Sequence, residues 1–100
     1  MPNFNIAVPH QLGQQEAAGK LKGFLEQVRS RYQSQVSDLE ENWNGNTLSF
    51  GFKTYGFNIK GSVIVEEQQV ELDGTLPFAA VAFKGKIEQS IRDELEKVLV

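Results

Sequence analysis

Three turn signals in the middle of the chain have to agree with one another, and their agreement restricts the fold more than any other feature. Asn44-Gly45, Tyr55-Gly56 and the polar run Glu66 to Gln69 separate segments in which apolar and polar residues alternate. Asn-Gly is the strongest two-residue hairpin signal, because a type I′ turn needs positive φ at both central positions. With that loop, Trp43 faces Asn46, Glu41 faces Leu48 and Leu39 faces Phe50. With Tyr55-Gly56 as the second loop, Phe52 pairs with Ile59, Phe50 with Gly61 and Leu48 with Val63. With Glu66 to Gln69 as the third, Val65 pairs with Val70, Val63 with Leu72 and Gly61 with Gly74. A one-residue slip would turn a strand's whole apolar set toward water, and all three registers keep the same set on one face. The expectation is a four-stranded antiparallel meander. Its other face carries Thr47, Ser49, Lys53, Asn58, Lys60, Ser62, Glu71 and Asp73, with Ile64 its apolar exception, so it meets water.

The flanks supply what covers the apolar face. Phe4, Ile6 and Val8 alternate with small or polar neighbours, so Asn3 to Val8 reads as a short strand closed by Pro9. From Leu12 to Tyr32, Ala17, Ala18, Leu21, Phe24, Leu25, Val28 and Tyr32 recur at three and four, the stripe of an amphipathic helix. After Leu76-Pro77, Ala79, Phe83, Ile87, Ile91, Leu95 and Leu99 form an i, i+4 ridge, which predicts a second helix over Ala80 to Val100. The order β-α-β-β-β-β-α predicts an α+β domain spanning residues 1–100, with two helices on one face of a four- to five-stranded antiparallel sheet. It resembles a reduced helix-grip. Which sheet edge the first strand joins is left open.

Composition narrows the function classes. The chain has no cysteine, which removes disulfides, thiolate metal sites and cysteine nucleophiles. No apolar run is long enough to span a bilayer, and the start MPNFNIAVPH lacks the basic and apolar regions of a secretion signal, so the expectation is a cytoplasmic protein. The net charge of −3 is unevenly spread. Residues 35–76 hold only Lys53 and Lys60 against seven carboxylates, whereas Lys20, Lys22, Arg29 and Arg31 outnumber Glu16 and Glu26 on the first helix. Phosphate affinity needs clustered Lys and Arg, and base stacking needs exposed aromatics, so nucleic acid is not expected. The basic helix face reads as solvated, or as steering the helix toward an acidic partner or an anionic surface.

Four positions invite a site. The row Leu39, Phe50, Gly61, Gly74 on the covered face leaves a trough, since strand glycine marks a bend or a close approach. Either Phe24 or Phe83 from a helix fills it, or part stays open as an apolar ligand groove. Glu41, between Leu39 and Trp43, is a carboxylate on an apolar face and needs a rim position, a bulge or a partner; alternatively it orients a polar head group at the groove mouth. Val36 falls on the opposite parity from Leu39, the sign of a bulge. The expected groove set is thus Phe24, Glu41, Trp43, Phe50, Gly61, Gly74 and Phe83. His10 is the single histidine and has no Ser-His-Asp or metal-ligand spacing, so it reads as an exposed residue where the first helix begins. No catalytic residue, metal or cofactor is expected. Gly19, Gly23 and Gly85 weaken the helices unless they permit a close helix approach within the chain or between two copies.

HQLGQQEA at the first helix, WNGN at the first hairpin, GFNIKGSVIV and LPFAAVAFKGKIEQSI together resemble the small polyhydroxyalkanoic acid system family of bacterial proteins, over Phe4 to Leu99. The resemblance implies a bacterial, cytoplasmic protein whose relatives are encoded near genes for storage-polyester synthesis. It carries no catalytic residues to this chain. The expectation is a non-enzymatic accessory protein of polyhydroxyalkanoate metabolism that binds a hydrophobic ligand, the granule polymer or a granule-associated protein. A homodimeric interaction module is the alternative, and an enzyme acting on hydroxyacyl groups the third.

Overall fold

The computed structural model describes residues 3–31, 34, 36–54 and 56–100, with the backbone alone for Arg29. Tyr32 and Tyr55, which the sequence places in a helix stripe and a hairpin loop, lie outside the described residues. The elements run β1 (Asn3–Pro9), α1 (Gln14–Arg31), β2 (Ser37–Asn44), β3 (Thr47–Thr54), β4 (Phe57–Val65), β5 (Gln69–Thr75), a 3₁₀ segment (Phe78–Phe83) and α2 (Lys84–Val98). The expected order β-α-β-β-β-β-α is observed. The five strands form one antiparallel sheet in the order β1-β5-β4-β3-β2, so the first strand joins the β5 edge.

The second and third hairpins have the expected registers, including Phe50 opposite Gly61, Val63 opposite Leu72 and Gly61 opposite Gly74. The first does not. Asn44 pairs with Thr47 and the loop is Gly45-Asn46, which moves Trp43 opposite Leu48 and Glu41 opposite Phe50. Asn44 stays extended while Gly45 takes φ 64°, the pattern of a type II′ turn with glycine at its first central position. Moving the loop by one residue shifts the pairing by two, a full pleat period, so the side chains keep their faces. The anticipated bulge lies between Ser37 and Glu40, and Asp38 there takes φ 54°. With Asp38 and Glu40 both exposed, it blunts the β2 edge against pairing with another strand.

The core lies between the sheet's covered face and the two helices. Phe4, Ile6 and Val8 of β1, Leu48 of β3, Ile59, Val63 and Val65 of β4, and Val70 and Leu72 of β5 are buried there; Ile64 is exposed on the other face. Helix α1 begins at Gln14 rather than Leu12. Gly13 has φ 82°, and its carbonyl accepts the first helical bond from Ala17 N–H.

His10 sets up that start, and it is buried at 7% exposure, correcting the expectation of an exposed residue. Its Nδ1 accepts from the Leu12 N–H (3.2 Å), so its Nε2–H faces and donates to the Glu66 carbonyl (3.0 Å). Its own N–H donates to the Gln68 carbonyl (2.9 Å), and Gln14 Nε2 donates to the Val65 carbonyl (2.9 Å). The β4–β5 turn and the start of α1 are thus tied together.

The second helix departs further from expectation. Pro77 opens a 3₁₀ segment instead of an α-helix, with Ala80 N–H bonded to the Pro77 carbonyl. At three residues per turn the phase rotates, so Ala80 is buried while Ala79 and Phe83 face outward. The ridge resumes in α2 with Ile87, Leu95 and Leu99 buried and Ile91 only half-buried.

Candidate functional site

The corrected register turns the expected trough into a filled row. Across the sheet it reads Glu41, Phe50, Gly61, Gly74, Phe4. Two phenylalanines flank two glycines, and each ring lies over its neighbour. A Cβ on Gly61 would be driven into the Asp73 carbonyl oxygen, and would stand 2.9 Å from Phe50 Cζ. A Cβ on Gly74 would be driven into the Phe4 ring, with Cε2 at 2.9 Å. The glycines therefore serve strand approach and ring packing. Phe4 and Phe50, rather than Phe24 or Phe83 from a helix, cover them.

The open space lies elsewhere, and the burial gradient along α1 explains it. Near its start Ala17 and Ala18 are buried, and small side chains there allow close approach to the sheet. The first half of α1 reaches the chain just beyond α2, where Lys20 Nζ donates to the Val100 carbonyl (3.0 Å). Farther along, Phe24 and Val28 are bulky and only half-buried, as are Ile91 on α2 and Phe50 and Phe52 on β3. Between them lies a groove of about 300 Å³. Leu21, Phe24, Leu25 and Val28 form one wall, Ile87, Ile91 and Leu95 the other, and Leu48, Phe50, Phe52, Val63 and Leu72 the floor. Phe50 and Phe52 stack on the floor with ring centroids 6.0 Å apart. Thr54, Ser90 and Glu94 are its polar lining residues. A mostly apolar concavity with a few polar groups is the usual build of a small-ligand site, and this volume sits at the small end of such sites.

Of the seven residues expected to share a site, Phe24 and Phe50 line this groove. Gly61 and Gly74 lie under the phenylalanine rings. Glu41 and Trp43 form a separate pair: Trp43 Nε1–H donates to Glu41 Oε2 (2.6 Å), and Lys22 Nζ from α1 stands 5.0 Å from the Trp43 ring centroid. That partner resolves the isolated carboxylate, and the cation over the ring ties α1 to β2. Phe83 packs against Phe57 (centroids 5.9 Å apart) on the 3₁₀ segment, 39% exposed. Leu21, Leu25, Val28, Ile87 and Ile91 were legible as helix stripes but not as groove walls. Periodicity marks an apolar face without telling whether a neighbour fills the space before it.

Among the described residues, every buried side-chain nitrogen or oxygen has a hydrogen-bond partner, and no cluster of three His, Cys, Asp or Glu could hold a metal ion. No helix among them is long and apolar enough to cross a membrane.

The fold has a solved counterpart. The crystal structure of TTHA0849 from Thermus thermophilus aligns with a TM-score of 0.58 over 98% of this chain and 92% of that one, at 15% sequence identity, a likeness of fold alone. No curated protein matches the chain significantly. Residues 4–99 match the family described as "Putative polyhydroxyalkanoic acid system protein", and the chain belongs to that family.

Proposed function

We propose that this protein is a non-enzymatic accessory factor of polyhydroxyalkanoate metabolism that takes an apolar ligand into the groove between α1, α2 and the sheet. The ligand is the polyester chain or a hydroxyacyl segment of it. The observation that carries this reading is the groove itself: about 300 Å³, with Phe24, Val28, Phe50, Phe52 and Ile91 of its lining left half-buried. Closing it over an apolar chain would remove Phe24, Val28 and Ile91 from water, at roughly 25 cal/mol per Å² of apolar surface covered. Family membership supplies the chemical class. The non-enzymatic part is supported by the engagements of His10 and Glu41, which hold the start of α1 and the indole of Trp43.

The test is co-sedimentation with native polyester granules and with stripped polymer, at low and high salt, using the wild type and Val28→Asp. Val28 is half-buried on the groove wall, so the variant should fold. Wild-type binding to stripped polymer that survives salt, and its loss in Val28→Asp, is the expected result. Equal binding by the folded variant, or absence of the wild type from both pellets, would refute the reading.

A further inference from the structure

A second surface lies outside the groove, at the end of the molecule formed by the 3₁₀ segment. Phe78 is 78% exposed and Val81 44%, and Phe83 shares the same short turn. A 3₁₀ segment rotates the chain out of phase with α2, so these side chains project outward instead of continuing its buried ridge. Scattered apolar residues on a surface are ordinary, but Phe78 and Val81, one 3₁₀ turn apart, share a projecting face and form a patch, with Phe83 beside it packed against Phe57.

Charge gives the patch a direction. No carboxylate occurs between Asp73 and Glu88, while Lys84 and Lys86 follow directly on Phe83. Lys84 reaches Glu88 only at 3.8 Å, as a partly exposed pair that costs little to give up. An outward aromatic and aliphatic turn bordered by lysines has the composition of an interfacial anchor, with apolar groups entering the acyl boundary and ammonium groups meeting anionic head groups. A neutral polymer would gain no net charge attraction from the lysines.

We propose that the 3₁₀ turn is a docking site for an anionic lipid surface, separate from the groove. Phe78 and Val81 insert, and Lys84 and Lys86 contact the head groups. This site stands whether or not the groove takes a ligand.

Flotation with phosphatidylcholine vesicles, with and without phosphatidylglycerol, tests it. The wild type should float with the anionic vesicles and detach as salt rises. Phe78→Ser/Val81→Ser should lose binding by about tenfold or more, and Lys84→Gln/Lys86→Gln by roughly thirtyfold. Both pairs include exposed side chains, and circular dichroism verifies that the variants fold. Val28→Asp in the groove should float like the wild type, which separates this site from the groove reading. Failure of the wild type to float with anionic vesicles overturns the proposal, as does undiminished flotation of Phe78→Ser/Val81→Ser. Concentration-dependent light scattering that Phe78→Ser/Val81→Ser abolishes, without flotation of the wild type, would reassign the patch to contact between copies.

Discussion

Adding one methyl group to each paired sheet glycine should destabilise the protein for two different reasons, and the difference is measurable. At Gly61 the obstruction is the Asp73 carbonyl of the neighbouring strand, with Gly74 Cα only 2.8 Å away. Backbone in a hydrogen-bonded ladder cannot rotate aside, so Gly61→Ala must part β4 from β5. Overpacking of this kind costs about 1–3 kcal/mol, and a backbone clash belongs at the upper end. At about 4–8 °C per kcal/mol for a domain this size, 2–3 kcal/mol lowers the melting temperature by roughly 8–24 °C. At Gly74 the obstruction is the buried ring of Phe4, a side chain. Gly74→Ala should cost about 1–3 kcal/mol by itself, and Phe4→Leu should relieve part of it. Neighbouring residues couple by about 0.5–3 kcal/mol in a double-mutant cycle. Phe50→Leu should give Gly61→Ala no comparable relief. Thermal melts followed by far-ultraviolet circular dichroism read all of these. A Gly61→Ala protein that melts with the wild type, or a Phe4→Leu/Gly74→Ala pair whose effects merely add, would refute the packing of this row.

The helix glycines should respond with the opposite sign. No atom lies within 4 Å of a Cβ built on Gly19 or Gly23, so alanine at either should raise stability by about 1 kcal/mol, visible in urea titrations; a loss would mean that the face is covered in solution. His10→Ala removes the acceptor of the Leu12 N–H and the donor to the Glu66 carbonyl, and should cost about 1–3 kcal/mol and loosen exchange protection at the start of α1. Trp43→Phe keeps a ring beneath Lys22 but removes the N–H that meets Glu41, a loss of about 1 kcal/mol in the same titrations.

The sheet is legible because its signals are periodic and redundant. The Tyr55-Gly56 and Glu66 to Gln69 turn signals in the sequence each specify a register, and a wrong one would expose Val63 or Leu72. The Gly45-Asn46 loop escapes the same reading because Asn-Gly and Gly-Asn both satisfy two-residue turns, and WNGN contains both. Slipping between them preserves the faces, so patterning cannot expose the error. The filling of the glycine row is hidden for another reason. Phe4 reaches Gly74 only because β1 joins the β5 edge, and a strand separated by a whole helix leaves no local sign of which edge it takes. The 3₁₀ segment is masked by FAAVAFKGK, whose apolar spacing fits either helix type. An unbroken α-helical ridge would turn Phe83 toward the groove, and it is found beside Phe57 instead. Glu41 and Trp43 stand out as unusual in the sequence, yet what joins them is a side-chain bond two residues along one strand.

Methyl NMR reads whether a polyester segment enters the groove. Protein with labelled Ile, Leu and Val methyls would be titrated with a soluble 3-hydroxyalkanoate oligomer. Saturable shifts confined to the groove-lining methyls, among them Leu21, Leu25, Val28, Leu48, Val63, Leu72, Ile87, Ile91 and Leu95, and absent from Val28→Asp, are the predicted result. Unchanged methyl positions at saturating oligomer, or shifts confined to Val81, would contradict it.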